Sequence, residues 1–192
     1  MIESLKAIDA SIFLAINGCH APILDDVMWM ASGGVVFIPF FVVLGWHIYK
    51  KKQVKYFAFG IICIALVILC ADQSSRFVKN TVQRYRPSHN LELKDKVHIL
   101  NDYHGGQFGF FSGHAANTFG VATFLFLSLS WWKRNQRYSI FLWPVLVGYS
   151  RIYLGVHYPS DIFFGMLDGI LFGWLIYNLF KYLGQKLNYE VA

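Results

Sequence analysis

Two long stretches of this sequence contain no Asp, Glu, Lys or Arg. One covers 23 residues, from position 27 to position 49, and the other covers 30 residues, from position 103 to position 132. About 20 apolar residues are enough to cross a bilayer as a helix. The two stretches therefore predict an integral membrane protein.

The composition of the chain agrees with this prediction. Of the 192 residues, 56% are hydrophobic and 15% are charged, where a soluble domain carries roughly 25% charged residues. This excludes a disordered chain and a small disulfide scaffold. The net charge of +6 would suggest nucleic acid in a soluble protein, but cytoplasmic loops of membrane proteins are rich in Lys and Arg. We therefore expect membrane lipids, and no nucleic acid, as partners.

The hydrophobic runs predict a single all-α domain over residues 1–192. Residues 2–17 alternate apolar and charged side chains at helical spacing, which is typical of an interfacial helix. Longer runs follow and indicate an integral-membrane helical bundle of about five transmembrane helices. The predicted spans cover residues 27–49, 55–78, 110–132, 138–155 and 160–183.

Clusters of basic residues predict the orientation of the bundle. They follow the first, third and fifth spans and comprise Lys50, Lys51, Lys52 and Lys55; Lys133, Arg134 and Arg137; and Lys181 and Lys186. Short basic loops lie in the cytoplasm. Several cations expected on the other side lie at apolar helix ends instead, where a charge is costly and usually functional. We treat those cations as site residues.

Polar residues that could carry chemistry occur in three pieces far apart in the chain. The pieces are Lys79, Arg86 and Pro87; Ser112, Gly113 and His114; and Ser150, Arg151, His157 and Asp161. In the predicted topology, all three lie at the same membrane face. We therefore expect them to meet in one pocket.

The cations of this pocket suit a phosphate group. Arg86 and Arg151 each offer a planar fork that matches phosphate oxygens, and Lys79 adds a point charge. Ser112 and Gly113 precede a predicted helix, whose first N–H groups bind anions. A phosphate monoester carries about −1.5 to −2 charges at pH 7, so several cations are needed to hold it.

Two histidines and a carboxylate supply the remaining chemistry. A neutral imidazole at His157 can attack phosphorus and form a phosphohistidine. Asp161, four residues later, can hold the tautomer that frees the attacking nitrogen, as the carboxylate does in serine hydrolases. His114 can protonate the leaving oxygen and then activate water. The hypothesis needs no metal and no cofactor.

The three pieces resemble the signature of the type 2 phosphatidic acid phosphatase (PAP2) family, K-x6-RP, PSGH and SR-x5-H-x3-D. The first and third motifs match at every specified position, and the second differs only at Phe111, which replaces a proline. The resemblance implies an integral-membrane lipid phosphatase. It also implies the roles given above: His157 nucleophile, Asp161 its orienting group, His114 acid and base, and Lys79, Arg86, Ser112, Gly113 and Arg151 the phosphate ligands.

The substrate is predicted to be a lipid phosphate or diphosphate. We favour undecaprenyl diphosphate, with phosphatidylglycerophosphate, phosphatidate and the phosphates of lipid A as alternatives. The protein is expected in a bacterial inner membrane with its site facing outward.

Other interpretations of the same residues remain open at this stage. Ser112, His157 and Asp161 could form a hydrolase triad, although this leaves three cations unexplained. His104, His114 and His157 could bind zinc, although nearby Lys and Arg would repel it. A non-catalytic protein that binds or transports phospholipid is a third possibility. Asp72 is expected to pair with neighbouring cations, and Asp168 to make an internal polar contact.

Overall fold

The computed structural model describes residues 2–51 and 54–186 of the chain, so Lys52 of the first basic cluster lies outside the described residues. Regular structure in these residues is helical. The helices are α1 (Ile2–Gly18), α2 (Pro22–Gly33), α3 (Ile38–Lys51), α4 (Val54–Val82), α5 (Gly113–Ser128), α6 (Arg134–Ser139), α7 (Leu142–Tyr153) and α8 (Pro159–Lys186). The predicted all-α class is confirmed.

Two of these helices, α4 and α8, are long and apolar enough to cross a membrane, and they coincide with the second and fifth predicted spans. Helices α1 and α2 pass the same test only as a pair, and they meet at a bend of 116°. The described residues thus supply two spans, or three if the bent pair counts as one. The total of five spans stays a prediction.

The first predicted span is wrong as one continuous helix. Helix α2 ends at Gly33, and Gly34 adopts a left-handed conformation with φ of 75°, which stops the helix. A short 3₁₀ turn follows, and α3 then begins at Ile38. Pro39 is the second residue of α3, where its missing N–H costs no hydrogen bond. The sequence of apolar residues continues through this break, so charge alone did not reveal it.

Helix α5 lies at the centre of the bundle, against α8 and α4. Most of its residues are buried, as expected of an enclosed helix. Its contact with α8 uses glycines spaced four residues apart: a Cβ added to Gly169 would lie 2.2 Å from the carbonyl oxygen of Ala116, and one added to Gly165 would lie 2.5 Å from that of Ser112. Small residues allow such close approach between membrane helices. The first turns of α5 and α8 are thereby held together.

The two ends of the bundle differ in character. At one end, the start of α4, the end of α5 and the end of α8 meet, and the Tyr56 hydroxyl donates to the carbonyl oxygen of Ser128 at 3.3 Å. The basic clusters occupy this end. At the other end, the last turns of α4 and α7 meet the first turns of α5 and α8. The three motifs lie at that second end, as the predicted topology required.

Candidate active site

His157 lies in the link between α7 and α8, and is 1% exposed. Its Nε2 atom is 3.0 Å from Nη1 of Arg86, and its Nδ1 atom is 3.2 Å from Oδ2 of Asp161. A guanidinium can only donate, so Nε2 accepts and the ring proton lies on Nδ1, which donates to Asp161. The structure thus brings these three predicted residues together, with the His157 lone pair on the side of the cations.

Asp161 is fully buried in the first turn of α8. Besides the His157 contact, its Oδ2 atom accepts from the backbone N–H of Tyr158 at 3.0 Å, and its Oδ1 atom accepts from Nη1 of Arg84 at 3.0 Å. A buried carboxylate needs such partners to remain charged. These hydrogen bonds hold the carboxylate beside the imidazole, within the tight turn that follows His157.

Arg86 is held by a short antiparallel pairing between two segments of the loop after α4. Tyr85 and Phe108 form a β-bridge, and the N–H of Arg86 donates to the carbonyl oxygen of Gln107 at 3.1 Å. The guanidinium passes close to Gly105, which has φ of 66°, and a Cβ there would lie 3.1 Å from Nη1. A side chain at position 105 would therefore be both strained and obstructive.

Arg151 lies at the end of α7, 3% exposed. Its Nη2 atom donates to the hydroxyl of Tyr103 at 2.8 Å, and its Nη1 atom donates to the hydroxyl of Ser32. The Nε atoms of Arg86 and Arg151 are buried and have no hydrogen-bond partner within the described part of the chain. Buried donors are normally satisfied, so these two guanidinium N–H groups are available to donate to an anion.

The remaining predicted residues lie on α4 and α5. Ser112 caps α5, and its hydroxyl accepts from the N–H of Ala115 at 3.4 Å. Gly113 approaches α4 closely, because a Cβ there would lie 3.1 Å from the Ser75 hydroxyl and 3.5 Å from Nζ of Lys79. His114 is exposed on the first turn of α5, near enough to His157 for an electrostatic interaction.

The electrostatics of the site keep His157 neutral. Burial, followed by the charges of Arg86, Arg151 and Lys79, lowers the pKa of His157 well below its ordinary value of 6.5. The imidazole is therefore uncharged at neutral pH, in the form that can act as a nucleophile.

The structure disfavours the two other chemical readings of these residues. The Ser112 hydroxyl is fully buried as a helix cap, which does not suit a nucleophile. His104 pairs with Asp102 at 3.1 Å and is exposed, and no three His, Cys, Asp or Glu side chains in residues 2–51 and 54–186 are arranged to hold a metal ion. The cations around His157 favour an anion.

Two predicted polar contacts are confirmed outside the motifs. Asp72 pairs with Arg76 at 3.0 Å, and Asp168 accepts from the Ser74 hydroxyl at 2.7 Å. Sequence reasoning missed the partners of the motif residues, of which Arg84, Tyr103 and Ser32 contact Asp161 and Arg151 directly. The position of Arg84 two residues before Arg86 was the only available signal.

The fold and the site together define a helical membrane protein in which buried arginines lie near a neutral histidine. The chain belongs to the PAP2 superfamily, whose family model matches residues 56–185. It is an integral membrane enzyme that hydrolyses phosphoric esters.

Two relatives and one solved structure show which members of the family this chain resembles. The chain is 38% identical to a lipid A 4'-phosphatase of Bacteroides thetaiotaomicron over 98% of its own length and 84% of that protein. It is 34% identical to the lipid A 4'-phosphatase of Porphyromonas gingivalis over 96% and 78%. The crystal structure of Aquifex aeolicus LpxE matches with a TM-score of 0.65 and 29% identity, over 87% of this chain and 93% of that one.

A relative named for undecaprenyl diphosphate is more distant. The undecaprenyl-diphosphatase BcrC of Bacillus subtilis is 23% identical over 87% of this chain and 81% of that protein. The preference for undecaprenyl diphosphate is therefore not confirmed, and the lipid A alternative agrees better with the relatives.

Proposed function

We propose that this protein is a lipid A phosphatase that removes the 4'-phosphate through a phosphohistidine at His157. The proposal rests on one observation above all, the neutral His157 whose Nδ1–H is held by Asp161 and whose Nε2 faces Arg86. The two relatives named as lipid A 4'-phosphatases support the choice of substrate. Lipid A therefore replaces undecaprenyl diphosphate as the favoured substrate.

Phosphate binding is the first step. Arg86 contacts His157 directly, and the charges of Arg86, Arg151 and Lys79 all lower the pKa of His157. The unpartnered Nε–H groups of the two arginines can donate to phosphate oxygens. The first N–H groups of α5, at Gly113 and beyond, lack intrahelical acceptors and can donate as well. Charge accumulates on these oxygens in the transition state, where fixed donors stabilise it.

Phosphoryl transfer follows in two displacements. Nη1 of Arg86 leaves Nε2 of His157 for a phosphate oxygen, which frees the lone pair. Nε2 then forms a bond to phosphorus as the bond from phosphorus to the lipid oxygen breaks, and His114 gives its proton to that oxygen. His114 next takes a proton from water, whose oxygen attacks phosphorus and breaks the bond to Nε2. Phosphate leaves and His157 is restored.

The site is proposed to face the outer side of a bacterial inner membrane. The basic clusters lie at the opposite end of the bundle, and basic loops favour the cytoplasm. The cationic pocket would then open toward the leaflet that supplies the lipid phosphate.

The substrate is tested with purified protein in detergent. Phosphate release is measured from lipid A and from undecaprenyl diphosphate, and mass spectrometry locates the phosphate that is lost. We expect a higher kcat/KM for lipid A and loss at the 4' position. A higher kcat/KM for undecaprenyl diphosphate would contradict the choice of substrate.

The nucleophile is tested with His157→Ala, which we expect to lower kcat by at least about 10³-fold, because removal of a nucleophile costs several orders of magnitude. His47→Ala is the matched control, since His47 is an exposed histidine on α3; its kcat should stay at the wild-type value. EDTA should leave activity unchanged. Full activity of His157→Ala, or loss of activity with EDTA, would overturn the mechanism.

A further inference from the structure

Arg84 joins the catalytic carboxylate candidate to the N-terminal helix. Its Nη1 atom donates to Oδ1 of Asp161 at 3.0 Å and to the hydroxyl of Ser160 at 2.7 Å, and its Nη2 atom donates to Oδ2 of Asp9 at 2.7 Å. The guanidinium also stacks on the ring of Tyr158, with its carbon 4.0 Å from the ring centroid. The two Nη atoms of the rigid guanidinium thus bind carboxylates from two different helices, α8 and α1.

Asp9, on α1, also holds the first turn of α8. Its Oδ1 atom accepts from the backbone N–H of Ser160 at 2.9 Å, and its Oδ2 atom accepts from the Ser160 hydroxyl. The first N–H groups of a helix have no partner within the helix, and a carboxylate at that end is favoured by the helix dipole. Asp9 therefore caps the N-terminus of α8 from another helix. The residue that it binds, Ser160, directly precedes Asp161.

Opposite charges alternate from Asp9 to Arg84 to Asp161, and Asp161 in turn accepts from the neutral imidazole of His157. Asp161 is fully buried, and the side chains of Asp9 and Arg84 are 12% and 25% exposed. Pairs this protected from water are screened little, and removing one partner leaves an uncompensated buried charge. Each contact therefore restrains the next.

We propose that Asp9 and Arg84 are positioning residues for phosphoryl transfer, holding Asp161 ionised and in place so that it selects the Nδ1–H tautomer of His157. This inference rests on the proposed role of His157. With this role, α1 contributes a residue to the site, although the family match begins only at residue 56. The hydrogen bonds of both residues are to each other, to Ser160 and to Asp161 and not to His157, so we expect them to act on kcat more than on substrate binding.

The test compares Arg84→Gln, Asp9→Asn and the double variant in detergent, with phosphate release measured over a range of substrate concentrations. Each single variant should lower kcat by about 10- to 100-fold, while KM changes less than about 2-fold. This is the range found when residues that hydrogen-bond to and orient a metal ligand are replaced. Because both residues act through Asp161, the kcat of the double variant should be no lower than that of the less active single variant. The double variant also removes both charges, so it decides the question if a single variant misfolds.

The matched control is the pair Glu3 and Lys6 on the same helix. Their side chains form an ion pair at 2.9 Å and are 85% and 64% exposed, so it should contribute little. Glu3→Gln and Lys6→Gln should keep the wild-type kcat. Equal losses in the control and test variants would show a general effect of α1 and overturn the proposal.

A second measurement does not depend on activity. Nitrogen-15 NMR of histidine side chains in the substrate-free protein reports which ring nitrogen carries the proton, and the His157→Gln variant assigns the signal. Wild type should show His157 protonated on Nδ1, and Arg84→Gln should move population away from that tautomer. An unchanged His157 signal in Arg84→Gln, a kcat within about 2-fold of wild type, or a rise in KM alone would each overturn the positioning role. Failure of His157→Ala to lose activity would instead overturn the mechanism.

Discussion

An imidazole held between a guanidinium and a carboxylate has one neutral tautomer that satisfies both neighbours. At His157 the donor is Arg86 and the acceptor is Asp161, so the nitrogen that is free of its proton is the one on the side of the cations. Motif spacing predicted that these residues belong together. It did not predict that Nη1 of Arg86 would lie 3.0 Å from Nε2, the nitrogen proposed to attack.

Asp161→Asn tests the orienting carboxylate. An amide can donate to His157 and favour the wrong tautomer, so we expect kcat to fall by about 10⁴-fold, as for the equivalent change in a serine protease triad. Asp168→Asn is the control, because Asp168 lies two turns along the same helix and accepts from Ser74, which an amide oxygen can also do. Comparable losses of kcat in the two variants would contradict a specific role for Asp161.

Gly109→Ala tests the packing around the carboxylate. A Cβ at this position would lie 3.1 Å from Oδ2 of Asp161 and 3.1 Å from Cγ of Arg86, so both groups must move. Since misplacement of about 1 Å can cost 10²-fold in rate, we expect a loss of roughly 10-fold in kcat. At Gly106 an added Cβ meets nothing within 4 Å, and Gly106→Ala should have wild-type kinetics. A wild-type kcat for Gly109→Ala would show that the site adapts.

At the scale of helices, the contact between α5 and α8 sets the geometry of the site. The two first turns carry His114 and Asp161, and the backbone N–H of Ser112 donates to the carbonyl oxygen of Asp161 at 3.0 Å. Such an approach requires that α8 present glycine to the backbone of α5. The glycines at 165, 169 and 173 are visible in the sequence as a four-residue repeat, but the helix that they face is not.

Gly169→Ala should separate these helices, because its Cβ would lie 2.2 Å from the carbonyl oxygen of Ala116. Overpacking of this kind costs about 1–3 kcal/mol, so the melting temperature in detergent should fall and kcat should fall with it. Gly60→Ala on α4 is the control. Its Cβ meets nothing within 4 Å, and replacing a helical glycine stabilises by about 0.5–1 kcal/mol. Equal melting temperatures for the two variants would contradict the packing argument.

At the scale of the whole molecule, the two ends of the bundle carry different kinds of cation. The three basic clusters, whose described side chains are mostly exposed, lie at the end where α8 finishes. The end where it starts has scattered exposed cations such as Lys94 and Lys96, and it also has the buried Arg86 and Arg151. The first group follows the rule for cytoplasmic loops. Arg86 and Arg151 are held by protein partners, so we do not count them toward orientation.

Cysteine labelling in intact cells tests this orientation. After Cys19, Cys63 and Cys70 are replaced, one cysteine is introduced at Leu91, which is 81% exposed at the site end, or at Lys133, which is exposed at the other end. A membrane-impermeant maleimide should label Leu91→Cys in intact cells and Lys133→Cys only after permeabilisation. The reverse pattern would place the site in the cytoplasm.

Much of this arrangement was accessible from the order of residues alone. Charge-free runs and motif spacing depend on local composition, and they were sufficient to predict a helical membrane protein, the spans that became α4 and α8, and the grouping of Arg86, His157 and Asp161. Phosphate binding at this group stays a prediction. The break at Gly34 was not predicted, because the run of apolar residues passes through it without a charge.

Tertiary structure decided what spacing cannot encode. Arg84, Asp9 and Tyr103 lie in segments remote from the residues they hold, and only folding brings Asp9 of α1 to within hydrogen-bond distance of Arg84 and Ser160 near the start of α8. A buried charge needs a partner that water cannot replace, and that partner is set by which helices meet, not by neighbours in sequence. The motifs could therefore be read from the chain, while the contacts that hold them in place could not.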